Sequence, residues 1–105
     1  MLRIYDVALE VVPVVIGLAD KIAEKDRDQA RQLRRSMLSV VNNLCEGSGH
    51  DGGTRRQRYK DALGSSRETI GNLMASQAAG YVRVDAEALD KLEHVSAVLI
   101  RILYM

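Results

Sequence analysis

A chain with a single proline, and with half of its eight glycines gathered into residues 47–53, has almost nowhere to stop a helix. Sheet proteins need turn residues at short, regular intervals, so this distribution argues against a many-turned β fold and for an all-α one. Phe and Trp are absent and only four Tyr occur, which leaves Leu, Val, Ile, Ala and Met to build the core. At 105 residues, 47% hydrophobic and 28% charged, the chain suffices for one folded domain, is too short for two, and lacks the composition of a disordered tail.

Hydrophobic periodicity divides the chain into four helices. The first is predicted over residues 5–25. Its run from Val7 to Ala19 is nearly all apolar, but Asp6 precedes it, Glu10 interrupts it and Asp20 closes it, and it is too short to cross a bilayer. Such a helix is buried on most of its circumference. Pro13 lacks a backbone donor and disfavours helical geometry at Val12, so a kink is expected near Leu9 to Pro13. Asp26 with Gln29 has the spacing of a capping box, opening a second helix over 27–47 whose inner stripe is Ala30, Leu33, Met37, Val40, Val41 and Leu44.

Gly47 to Gly53 then reads as a loop. Thr54 with Gln57 has the spacing of another capping box, for a third helix over 54–79 with Tyr59, Ala62, Leu63, Ser66, Ile70, Leu73, Met74 and Gln77 on one face. Asp85 suits the N-cap of a fourth helix over 85–104, Val84 and Leu89 are placed for a hydrophobic staple, and Leu92, Val95, Val98, Leu99, Ile102 and Leu103 continue the stripe. Four such helices on short connections pack as an antiparallel up-down-up-down four-helix bundle spanning 1–105.

The net charge of +1 hides an asymmetry. Residues 27–60 hold Arg27, Arg31, Arg34, Arg35, Arg55, Arg56, Arg58 and Lys60 against Asp28, Glu46 and Asp51, a balance of +5, so the remainder carries −4. Arg forks suit phosphate oxygens, and helix starts offer free N–H groups to the same ligand. A solvated or ion-paired face accounts for the same pattern. No aromatic platform accompanies the cations apart from Tyr59, which argues against reading of single-stranded bases. Cys45 is the only cysteine, so no intrachain disulfide forms; a lone thiol in an apolar stretch is expected to pack as a small hydrophobe, and a reducing cytoplasm is the expected compartment.

Ser39, Asn43 and Glu46 on the second helix, and Ser65, Glu68 and Asn72 on the third, recur at spacings of three and four. Gly64 and Ser65 are small enough for a close helix approach, so the two stripes can face each other and fix helix register or a subunit contact. The alternative reading, Glu46 and Glu68 as paired acid/base carboxylates, lacks a nucleophile. A carboxylate-bridged metal centre needs Glu-x-x-His motifs that are absent, and the pairs Glu46/His50 and Asp90/His94 supply too few ligands, so neither metal nor cofactor is expected. In the first helix Val11, Val12, Val14, Val15, Ile16 and Leu18 point in more directions than one core can cover, which suggests burial by another subunit; the competing explanation is that a kinked helix wraps its own bundle.

Two segments go beyond bundle patterning. Gln32-Leu33-Arg34-Arg35-Ser36 is followed by Ser39, Asn43 and Glu46-Gly47-Ser48-Gly49, and Tyr59 by Ala62-Leu63-Gly64-Ser65-Ser66-Arg67-Glu68 and Gly80-Tyr81. Together they resemble the bacterial four-helix-bundle family of proteins encoded in 23S ribosomal RNA intervening sequences, which is related to accessory proteins of diversity-generating retroelements. The resemblance implies a cytoplasmic, non-enzymatic protein that assembles as a ring-shaped homopentamer. In the retroelement branch it further implies binding to RNA or DNA and to a reverse transcriptase. His50-Asp51 stands where the family commonly has a basic residue, which implies weaker nucleic-acid binding or none.

Overall fold

The computed structural model describes residues 2–105, and among them the regular structure is entirely helical. Helix α1 runs Arg3–Ala23, α2 Arg27–Ser48, α3 Gly52–Ala78 and α4 Ala86–Tyr104. Each packs on its neighbours in sequence, and α1 closes the ring by packing on α4, the arrangement of an up-down-up-down four-helix bundle. The result is a rod of 42 × 22 × 20 Å. Its core is aliphatic, with Ile22, Leu33, Met37, Leu44, Leu73, Leu92 and Leu99 fully buried.

The glycine-rich segment departs from expectation. Only Gly49 to Asp51 leave the helices, whereas Gly47 and Ser48 complete α2 and Gly52 and Gly53 begin α3. A mid-helix glycine costs about 1 kcal/mol against alanine, too little to break a turn held by packing. Gly47 is such a turn: a Cβ there would sit 2.4 Å from Cε1 of the buried Tyr59 ring. Gly52 takes φ +56, a left-handed conformation open to glycine and strained for most other residues, and this turns the chain sharply into α3.

Caps explain most of the other boundaries. Asp26 accepts from the Gln29 N–H at 3.0 Å, but the Gln29 side chain reaches across to α3 instead of returning, so only half of the capping box forms. The box predicted at Thr54 does not form, because α3 begins earlier with Asp51 at its N-cap and Thr54 lies within the first turn. Asp85 caps α4 through the Glu87 N–H. At the end of α3, Tyr81 N–H bonds to Ser76 C=O at 2.9 Å and Gly80 N–H to Gln77 C=O at 3.0 Å, with Gly80 at φ +79. This is a Schellman cap. Gly80→Ala is expected to cost about 1 kcal/mol, since a side chain disfavours that φ; an unchanged urea midpoint would contradict the cap's role.

α1 continues through Pro13 as one helix. The proline removes the donor that would meet the Leu9 carbonyl, and both residues are exposed, where water can satisfy that oxygen. On α3 the inner face is rotated from the predicted one: Met74 and Gln77 are exposed, and Thr69 and Ser76 are buried in their place. Gln77 faces outward to accept the Val84 N–H at 2.7 Å, tying the α3–α4 connection down. Cys45 is exposed, not packed as a small hydrophobe, because it lies about 100° around the helix from the buried Leu44.

Candidate nucleic-acid interface

The contact between α2 and α3 is lined with hydroxyl and amide groups. At one end Gln29 Nε2 donates to Ser76 Oγ at 3.3 Å and Asn72 Nδ2 returns a bond to Gln29 C=O at 3.1 Å. In the middle Thr69 Oγ1 donates to Ser36 Oγ at 2.8 Å, and the Ser39 and Ser65 hydroxyls share a hydrogen bond of 2.8 Å. Asn43 Nδ2 donates to Ser39 Oγ at 3.0 Å, and Arg58 reaches Asn43 Oδ1 at 3.5 Å. The ladder extends to α4 through Ser66 and Ser96, 2.8 Å apart. No buried side-chain nitrogen or oxygen among the described residues lacks a partner.

Of the expected polar stripes, Ser39, Asn43, Ser65 and Asn72 thus join the ladder, whereas Glu46 and Glu68 are exposed and form no hydrogen bond in it. Burying a carboxylate without a cation is costly, so the seam is built from neutral groups. The sequence reading missed Gln29, Ser36, Thr69 and Ser76. A signal was available: Ser36 lies between Leu33 and Val40 on the inner stripe of α2, and Thr69 between Ser66 and Leu73 on that of α3. Small polar residues on an apolar stripe mark a contact that needs a hydrogen bond.

The eight basic candidates do not form one patch. Because α2 and α3 are antiparallel, the α2 set and the α3 set lie toward opposite ends of the rod, with Arg27 about 30 Å along α2 from Gly47, whose carbonyl Arg55 contacts at 3.3 Å. Four are engaged. Arg31 pairs with Asp28, and Arg34 with Asp20 of α1 at 2.7 Å. Arg55 also donates to His50 C=O at 2.7 Å, and Arg56 donates to Leu103 C=O at 2.7 Å while lying over the Tyr104 ring at 5.4 Å. These last two close off free carbonyls near the ends of α2 and α4. Arg27, Arg35, Arg58 and Lys60 are exposed and form no ion pair among the described residues. Arg67, one heptad after Lys60 on α3, is in the same state and was not among the sequence candidates.

Between α2 and α3 lies an open groove of about 280 Å³ lined by Gln32, Arg35, Ser36, Ser39, Ser65 and Glu68. All six belong to the two motif segments. Arg35 and Glu68 flank one groove without forming an ion pair, while Gln32 Nε2 is held by Asp28 at 3.1 Å. A different surface follows the α1–α2 seam. Leu9, Val12 and Ile16 share a face of α1 with Asp20, and Leu38 lies one turn beyond Arg34, so the Asp20–Arg34 pair marks one end of an apolar strip. Leu9 is 43% exposed and Leu38 44%.

Among the described residues no group of three His, Cys, Asp or Glu side chains could hold a metal ion, and no helix is long and apolar enough to cross a membrane. On the α1–α4 side, Lys91 Nζ lies 3.2 Å from Glu10 and 3.4 Å from Glu87, and the hydrogen bond to Glu10 raises the lysine pKa.

The fold and the seam define an antiparallel helical-bundle protein whose second and third helices are registered by neutral hydrogen bonds. The chain belongs to the 23S rRNA-intervening sequence protein family, whose sequence profile matches residues 1–103. Its fold is shared by a crystallised protein of unknown function of the S23 ribosomal protein family from Bacteroides thetaiotaomicron, at 18% identity and a TM-score of 0.85, over 97% of this chain and 99% of the other. No curated protein matches the chain.

Proposed function

We propose that this chain is a non-enzymatic, homo-oligomeric bundle, pentameric as the family resemblance implies, that binds nucleic-acid phosphates in the cytoplasm. The observation that carries the reading is the five exposed cations without carboxylate partners on α2 and α3, Arg27, Arg35, Arg58, Lys60 and Arg67; Arg3, Lys21, Lys25, Arg83 and Arg101 elsewhere are exposed and unpaired as well. Assembly repeats each subunit's cations around a ring, so a weakly charged chain acquires a collective field. Phosphate contacts release counterions, and the affinity falls as salt rises.

Titration of labelled RNA and DNA at low salt tests this. A variant carrying Arg27→Ala, Arg35→Ala and Lys60→Ala is expected to bind more weakly and to lose about one unit of log–log salt slope for each phosphate contact removed. Arg31→Ala should change little, because Asp28 already engages that side chain. Absence of binding at low salt, or unchanged binding by the triple variant, would overturn the reading.

The strip of exposed Leu9 and Leu38 with half-buried Val12 and Ile16 favours a second reading, a protein-interaction module without nucleic acid. Recovery of a stoichiometric protein partner with no nucleic acid in the complex would decide for it.

A further inference from the structure

We infer that the α2–α3 groove selects RNA over DNA, with Arg35 taking a backbone phosphate and Glu68 accepting a hydrogen bond from a ribose 2′-hydroxyl. The inference rests on the phosphate-binding reading and adds to it a choice of nucleic acid.

The reasoning starts from the donor and acceptor inventory of the groove. Arg35 is the one cationic donor in its lining. Glu68 is a pure acceptor. The Gln32 amide commits one N–H to Asp28, which leaves its second N–H and its carbonyl oxygen available. The Ser39 and Ser65 hydroxyls are bonded to each other and Asn43 donates to Ser39, which leaves one hydroxyl proton between them, so the group in the groove that has to be met by a donor is the Glu68 carboxylate. A ligand that fits must therefore bring an anion for Arg35 and a hydroxyl or ammonium donor for the opposite wall.

A DNA backbone brings the anion but only acceptors beside it. It would leave the Glu68 carboxylate facing phosphate oxygens with no proton between them. An RNA backbone brings the same phosphate together with a 2′-hydroxyl, which both donates and accepts. Glu68 thereby acts twice, as an attraction for ribose and as a repulsion against deoxyribose. The groove has no aromatic ring on which a base could stack, so the contact is with the backbone, and the A-form duplex, which displays its 2′-hydroxyls along a wide shallow groove, is the matching form. The same open, polar lining argues against a free metabolite, whose sites are mostly apolar and enclosing.

Fluorescence anisotropy with the full chain at low salt, using three duplexes of one sequence, provides the test. The duplexes are RNA, DNA, and RNA carrying 2′-fluoro groups, which keep the A-form but cannot donate. RNA is expected to bind roughly tenfold more tightly than the other two, the scale of one hydrogen bond to a charged group. Glu68→Ala should bring the three affinities to within about twofold of one another, on the same hydrogen-bond scale. Arg35→Ala should weaken all three by a similar factor. Circular dichroism confirms that the variants fold, as expected for exposed positions. Equal binding of RNA and DNA by the native chain overturns the inference while leaving phosphate binding intact. So does 2′-fluoro RNA binding as tightly as RNA, which would assign the preference to shape. Glu68→Ala tightening all duplexes alike would make the carboxylate a repeller and nothing more. Failure of all three duplexes to bind overturns the phosphate-binding reading and the inference with it.

Discussion

Gly47→Val is expected to cost about 3 kcal/mol of folding stability, the upper part of the range for overpacking a well-filled site. The last turn of α2 lies directly on the Tyr59 ring, and a Cβ at residue 47 would stand 2.4 Å from Cε1 and 2.7 Å from Cδ1. The ring has little room to retreat, being 5% exposed, and its hydroxyl lies 3.4 Å from Ser48. Urea unfolding of the native chain, Gly47→Val, Tyr59→Leu and the double variant forms a cycle. The double variant should be markedly more stable than the sum of the single costs allows, because removal of the ring opens space for valine. Additive costs would show that Gly47 is needed for some reason other than contact with Tyr59.

Replacing Leu9 and Leu38 together by Glu is expected to change the mass of the particle rather than its fold. Both lie on the uncovered α1–α2 strip, 43% and 44% exposed, so charge there costs an isolated subunit little. In an assembly that covers the strip, four or more carboxylates would gather between subunits without cations, a heavily unfavourable burial. Sedimentation or light scattering should give an oligomer for the native chain and a monomer with native helical content for the variant. A native chain that is already monomeric, or a variant that keeps its full mass, would remove the strip as the site of self-association.

How far the sequence reveals this molecule depends on what each residue type encodes. The four helices were legible because apolar spacing encodes the buried face directly, as with Leu33, Met37, Val40 and Leu44 on α2. The inner face of α3 was less so. Its buried positions include Ser66, Thr69 and Ser76, and a stripe that alternates hydroxyls with leucines gives weak periodicity, so the spacing picks out Met74 and Gln77 for the inner face and passes over Thr69. The glycine-rich segment misled for another reason: composition reports the cost of a helical glycine, whereas contact with Tyr59 decides whether that cost is met.

The basic candidates show a further limit. Spacing put Arg31, Arg34, Arg55 and Arg56 beside the other cations, but it could not show that Asp28, Asp20, the Gly47 and His50 carbonyls and the Leu103 carbonyl hold them. The lining of the groove, by contrast, was fully present in the motif segments, while the facing of Arg35 and Glu68 across it depended on the pairing of two helices.

The neutral ladder between α2 and α3 has a practical consequence for experiment. Serine, threonine, asparagine and glutamine side chains do not titrate between acid and mildly basic pH, and their bonds are insensitive to ionic strength. The alignment of the two helices that carry Arg27, Arg35, Lys60 and Arg67 therefore stays the same while buffer and salt are varied across the range that switches phosphate binding on and off. Loss of ligand at high salt reports on the surface alone, and a constant circular dichroism signal through the same titration serves as its internal standard.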